Sequence, residues 1–159
     1  MTIQPDLILA SQSPRRRELL TQIGINFDVV AVDIDEAPQA NERAEDYVIR
    51  LASEKAVAGW EQEQPAMVPV LGADTAVVIQ GRILGKPENR DDAISMLKLL
   101  SGQTHQVMTA VALVNPAKNS EYELHSALNV SDVTFKVLSE SEIVQYVDGG
   151  EGVDKAGSY

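Results

Sequence analysis

Leu7-Ile8-Leu9-Ala10 is an unbroken apolar run, and Ser11-Gln12-Ser13-Pro14 breaks it with turn chemistry before a charged, leucine-bearing segment begins. The run predicts a short buried strand over 7–10, and Ser13 followed by Pro14 predicts an N-cap with proline at the first helical position. A second strand is predicted over 27–32, followed by an acidic turn over 33–38. Val48, Leu51, Ala52 and Ala56 recur at helical spacing and predict a helix over 44–59. The apolar run over 68–73 ends at Asp74, which predicts a strand with a carboxylate at its end. Val77-Val78-Ile79, Gln80-Gly81 and Arg82-Ile83-Leu84 predict a hairpin with a two-residue turn, closed by Gly85-Lys86-Pro87.

Ala93, Met96, Leu97 and Leu100 predict a helix over 90–100 with Ser101-Gly102 as its C-cap. Strands are predicted over 107–114 and 128–137 on either side of a turn at 115–119. Ser139-Glu140-Ser141-Glu142 is a capping box opening a helix through Val147. Hairpins mixed with crossover helices imply the α/β class, a mixed sheet with flanking helices. A length of 159 residues and 44% hydrophobic content suit one domain with its own core.

The net charge of −11 changes the picture of partners. Both halves of the chain are acidic, so most of the surface repels nucleic-acid backbones and anionic membranes, and Arg15-Arg16-Arg17 is a local positive feature suited to a small anion. One Trp, four Tyr and two Phe leave little for base stacking. No nucleic-acid and no membrane partner is expected. The absence of cysteine excludes disulfides, thiolate chemistry and cysteine-ligated metals. The N-terminus lacks the positive region of a signal peptide and no apolar run is long enough to span a bilayer, so a cytoplasmic location is expected.

Arginine in a first helical turn faces the positive end of the macrodipole, unfavourable by about 0.3–1 kcal/mol per exposed charge. An anion reverses that sign. A phosphate there would be held by backbone N–H groups, the hydroxyls of Ser11 and Ser13, and the forks of Arg15 and Arg16. The alternative is a solvated basic patch partly neutralised by Glu18. Asp74 reads either as a ligand-contacting carboxylate or as a turn cap. Asp33, Asp35 and Glu36 read either as further carboxylates for a hard divalent cation or as a solvated acidic turn. Lys55 and Lys86 are phosphate partners or solvated charges. His105 and His125 are too few and too isolated for a zinc site or a serine triad. Neither a Walker A motif nor G-x-G-x-x-G occurs.

Six blocks in register resemble, in order, the motifs of the Maf family of nucleotide pyrophosphatases. They are Ser11-Gln12-Ser13-Pro14-Arg15-Arg16, Glu54-Lys55-Ala56, Gly72-Ala73-Asp74-Thr75, Gly85-Lys86-Pro87, Ser101-Gly102-Gln103-Thr104-His105-Gln106-Val107-Met108-Thr109 and Lys155-Ala156-Gly157-Ser158-Tyr159. The resemblance implies a mixed α/β fold of the Maf and inosine-triphosphate-pyrophosphatase type, with two lobes around a cleft. It implies hydrolysis of a nucleoside triphosphate to monophosphate and pyrophosphate with a divalent metal, magnesium or manganese. Arg15 after Ser-Pro and Thr75 after Gly-Ala-Asp are similar to the dTTP/UTP pyrophosphatase subgroup, whereas a subgroup acting on 7-methyl-GTP has Trp and Gln there.

By the same resemblance Asp74 is the proton acceptor, Arg15, Arg16, Lys55 and Lys86 bind phosphates beside Ser11 and Ser13, and Thr75 belongs to the substrate-binding set. Glu36 helps Asp74 hold the metal. Family members continue past the block at 155–159 with Gly-Ile-Gln-Gly, whose Gln completes the base-selecting set. The expectation is therefore one Maf-like domain over 1–159 lacking the family's C-terminal segment, with a homodimer as one way to cover exposed core. The competing functional reading is a catalytically impaired nucleotide-binding regulatory protein linked to septum formation. The retained motif residues favour the enzyme, and the lost C-terminal segment favours the binder.

Overall fold

The apolar run at the start of the chain becomes an inner strand of a sheet. In the computed structural model, which describes residues 4–63 and 67–159, β1 (Leu7–Leu9) pairs in parallel with β2 (Phe27–Val29) and with β3 (Val70–Ile79). Parallel neighbours require crossover connections, and α1 (Pro14–Gln22) and α2 (Ala44–Gln62) lie in them. The remaining elements are β4 (Arg82–Leu84), α3 (Arg90–Leu100), β5 (Thr104–Pro116), β6 (Tyr122–Thr134) and α4 (Glu140–Asp148), with short 3-10 turns at Lys118–Ser120 and Ala156–Ser158. The six strands run in the order β2-β1-β3-β5-β6, and β4 pairs antiparallel to β3. Parallel and antiparallel pairing make a mixed sheet in an α/β fold, as the pattern predicts.

By their contacts the residues form two compact units: the described residues up to Asp74 with Ala110–Leu128, and Thr75–Thr109 with Asn129–Tyr159. In the first, Leu9, Ala10, Val48, Leu51, Ala52, Ala56 and Val70 are almost wholly buried. The helical spacing noted for α2 is thus the face it lays on the sheet. Gly72 of β3 makes that approach feasible, because a Cβ there would lie 2.3 Å from the Ala52 carbonyl oxygen and 2.6 Å from the Ala56 nitrogen. The Trp60 ring meets Tyr122 edge-on at 6.0 Å.

In the second unit the hairpin forms where turn chemistry placed it. Gln80 and Gly81 have φ of 51° and 76°, the double positive φ that matches strand twist in a two-residue turn, and Val77 faces Leu84 across it. Val77, Ile79, Leu84 and Leu100 form a core cluster. Asn89 caps α3 by accepting from the Asp92 N–H, and the Ser139/Glu142 capping box opens α4. Buried His105 places Nε2 2.5 Å from the Tyr159 hydroxyl between the Phe135 and Tyr159 rings, so it is a core residue.

β6 departs from expectation, starting at Tyr122 and ending at Thr134. Residues 122–127 are exposed on both faces, which erases the alternation that signals a strand. Pairing with β5 makes the strand instead, as the side-chain contacts Thr104 with Thr134 and Gln106 with Asp132 mark. Among the described residues, no helix is long and apolar enough to cross a membrane.

Candidate active site

Asp74 lies inside β3, not at its end, because the β-branched run after it continues the strand to Ile79 and pairs with β4. The expected strand-end carboxylate is therefore a mid-strand one. Its side chain is buried and meets Lys55 from α2, with Nζ 2.9 Å from Asp74 Oδ1. The same Nζ lies 2.9 Å from Glu36 Oε1. Burial pushes the Asp74 carboxyl above its ordinary pKa, against the lowering effect of the Lys55 and Arg16 charges.

Glu36 comes from the loop between β2 and α2. Asp35 Oδ1 accepts the Ala37 N–H at 2.9 Å and so closes its own turn, while Glu36 is the member of the acidic cluster brought to Lys55. Three residues of the loop and helix hold this segment. The Tyr47 hydroxyl donates to the Glu36 carbonyl at 2.9 Å, and Arg50 Nη2 donates to the Ala37 carbonyl at 3.1 Å. Arg50 also grips Glu42 through Nε and Nη2 at 2.6 and 2.9 Å. That grip pulls the Glu42 carboxyl down to about 2. Sequence reasoning passed over Tyr47, Glu42 and Arg50. The spacing of Arg50 and Glu54 was a legible helix pair, but the path of the loop decides the Glu42 partner.

At the start of α1, Ser13 occupies the N-cap with extended φ/ψ and Pro14 follows, as predicted, but the Ser13 hydroxyl makes no capping hydrogen bond. The Ser11 hydroxyl is the organising group. It accepts from the Ser13 N–H at 3.2 Å and from Arg16 Nη1 at 3.1 Å. Burial lowers the pKa of Arg16, against the raising effect of Asp74 and Glu36, so this guanidinium lies in the field of both carboxylates. Arg15 is exposed, 3.8 Å from Glu18, which is the arrangement of a solvated surface pair. The first turn carries no acidic residue.

Ser11, Arg16, Glu36, Lys55 and Asp74 thus come together. Thr75 follows Asp74 in an extended strand, so its side chain turns to the opposite face. Its Oγ1 lies 3.1 Å from Thr109 Oγ1. Lys86 is exposed in the bend after β4, a bend held by the Gly157 N–H donating to the Gly85 carbonyl at 3.0 Å. His125 is exposed beside Glu123.

No group of three or more His, Cys, Asp or Glu side chains able to hold a metal occurs among the described residues. Two carboxylate oxygens, from Asp74 and Glu36, converge on one cationic point at Lys55 Nζ. Magnesium commonly takes one or two carboxylates and completes its shell with water and substrate phosphates, so this donor set fits a hard divalent cation.

Fold and site together define an α/β protein whose paired carboxylates and lysine sit beside a helix start bearing an inward-turned arginine. The chain matches the model of the Maf-like protein family over residues 6–159 and belongs to that family. It is 53% identical over 153 residues to the dTTP/UTP pyrophosphatase of Vibrio parahaemolyticus, spanning 96% of this chain and 78% of that protein. With the dTTP/UTP pyrophosphatase of Saccharophagus degradans it shares 51% identity over 156 residues, 97% of this chain and 72% of the relative. A solved nucleoside-triphosphatase/dITP/XTP pyrophosphatase from Mycobacterium abscessus aligns with TM-score 0.47 and 17% identity, covering 80% of this chain and 72% of its own.

Proposed function

We propose that this chain is a cytoplasmic pyrophosphatase that hydrolyses dTTP and UTP to the monophosphate and pyrophosphate. The observation that carries the reading is the buried Asp74 carboxylate held with Glu36 around Lys55, in a member of a family whose half-identical relatives bear that activity in their names. Such chemistry asks for charge neutralisation, positioning and a water more than for a protein nucleophile.

The triphosphate tail lies against the first turn of α1, where backbone N–H groups and Arg16 meet its charge, with Arg15 as an outer phosphate partner and Ser13 beside it. Water attacks the α-phosphorus, the bond from that phosphorus to the bridging oxygen breaks, and pyrophosphate leaves with the electron pair. Asp74 accepts the proton of the water. Its burial raises its basicity, while Lys55 holds it ionised until the transfer. Asp74 and Glu36 would hold a divalent cation, magnesium or manganese, which would supply further neutralisation of phosphate charge. Thr75, with its hydroxyl fixed by Thr109, belongs to the set that prefers thymine and uracil.

Pyrophosphate release from a panel of nucleoside triphosphates, with magnesium or manganese, tests the reading. Turnover confined to dTTP and UTP is expected. Nucleotide binding without release of pyrophosphate would instead give the impaired, regulatory binder.

A further inference from the structure

We propose that Arg50 is a positioning residue that holds Glu36 in the cation site by fastening the 36–42 loop to α2. The inference rests on the reading of Asp74 and Glu36 as the pair that binds the divalent cation. Glu36 stands in a segment without regular secondary structure, and half of its side chain is exposed. Nothing in such a segment selects one carboxylate position unless its backbone is tied elsewhere.

Hydrogen bonds supply those ties. Two consecutive carbonyls, of Glu36 and Ala37, accept from Tyr47 and Arg50. Farther along, Glu42 Oε2 accepts the Gln39 N–H at 2.9 Å, and the Glu42 carboxylate is the one that Arg50 grips through two bonds. The loop is therefore pinned at both ends by one guanidinium, which also lies over the Tyr47 ring at 5.6 Å and reaches Glu54 at 3.3 Å. Only 18% of the Arg50 side chain and 8% of that of Glu42 are exposed, so the pair is shielded from solvent. A planar fork that meets a carboxylate and a carbonyl at once has no equivalent in lysine. α2 thus carries both Lys55, against which Glu36 rests, and the arginine that delivers Glu36 to it.

The test is a manganese titration of the protein bound to an α,β-imido analogue of dTTP, followed by the paramagnetic resonance of free manganese. Arg50→Lys should weaken manganese binding roughly 10- to 100-fold, the range for loss of an outer-shell partner. Glu36→Gln should weaken it as well, and in that background Arg50→Lys should add no more than about twofold, because it acts through a carboxylate already gone. Tyr47→Phe keeps the ring, deletes the bond to the Glu36 carbonyl, and carries the same comparison should Arg50→Lys not fold. Equal losses from Arg50→Lys with and without Glu36 would overturn the proposal and leave Arg50 a purely structural residue. Unchanged manganese affinity in Glu36→Gln itself would remove the ligand reading, and the proposal with it.

Discussion

Lys55 and Asp74 form an ion pair within the protein, Nζ to Oδ1 at 2.9 Å, with 13% and 10% of their side chains exposed. Removing one partner of such a pair leaves the other charge buried and alone, at a cost of about 3–5 kcal/mol. Lys55→Met should lower the melting temperature accordingly. It should also let burial push the Asp74 carboxyl further up, since the largest opposing charge is gone. A proton acceptor must be ionised, so activity is lost as pH falls through its pKa, and the acid limb of kcat/KM should move to higher pH. An unmoved acid limb in a folded Lys55→Met protein would remove Asp74 from the role.

Asp74→Asn preserves shape and loses both charge and basicity. Turnover of dTTP should fall by about 10²–10⁴-fold or more, the usual contribution of a positioned acid or base. Affinity for the imido analogue, set mainly at the start of α1, should persist. Single-turnover kinetics beside equilibrium binding separates the two effects, and hydrolysis at the parent rate would disprove the assignment.

The two arginines after Pro14 should behave differently. Arg16 is turned inward onto the Ser11 hydroxyl, so Arg16→Ala should weaken triphosphate binding by about 1.5–3 kcal/mol, the worth of hydrogen bonds to charged groups. Arg15 shares only a long surface contact with Glu18, so Arg15→Ala should change the stability of the free protein by less than about 1 kcal/mol. Calorimetric titration and thermal melts on both variants check the contrast.

Gly72→Ala adds one methyl where the nearest atoms are backbone of α2. The helix must move, at a cost of about 1–3 kcal/mol or more for overpacking. Lys55 moves with it, so activity should drop beyond what the loss of folded protein explains. A Gly72→Ala protein with parent stability and rate would show that α2 does not rest where the contacts put it.

Glu42 is held at about 2 by Arg50 first and the Gln39 N–H second, against an ordinary value of 4.5. A depressed carboxyl contributes its stability fully above the ordinary value, and that contribution is lost as pH falls through about 2. The charged groups around it are Arg50 and, through Arg50, Glu54. Carbon NMR of the Glu42 carboxyl should titrate with a midpoint near 2 in the parent, and Arg50→Met should return it toward 4.5.

Local chemistry was legible along the chain. Pro14 opens α1, Gln80-Gly81 turns the hairpin, and the capping box opens α4, because each signal is the interaction of a residue with its own near neighbours. The motif blocks, through their resemblance to the family, singled out Ser11, Arg16, Lys55 and Asp74, which the fold brings together. Other features depended on where distant segments meet. Asp74 looked like the end of a strand until β4 paired with the residues beyond it. The resemblance singled out Glu36 from the acidic turn, but that it reaches Lys55 depended on the loop path across α2, and which arginine turns inward depended on the orientation of α1.

By itself, then, the sequence determined the order and type of most elements, since periodicity, turn residues and capping act over a few residues, and its motif blocks pointed to the class of chemistry through their resemblance to the family. Only the tertiary structure decided that Lys55 stands between Asp74 and Glu36, that Ser11 engages Arg16, and that Arg50 ties the 36–42 loop to its helix. The Lys55 and Arg50 relations join residues more than a few turns apart in the chain, and the short-range Ser11–Arg16 bond depends on how α1 leaves β1; a charge drawn out of water must find its partner within a few ångströms, and packing says which partner is there.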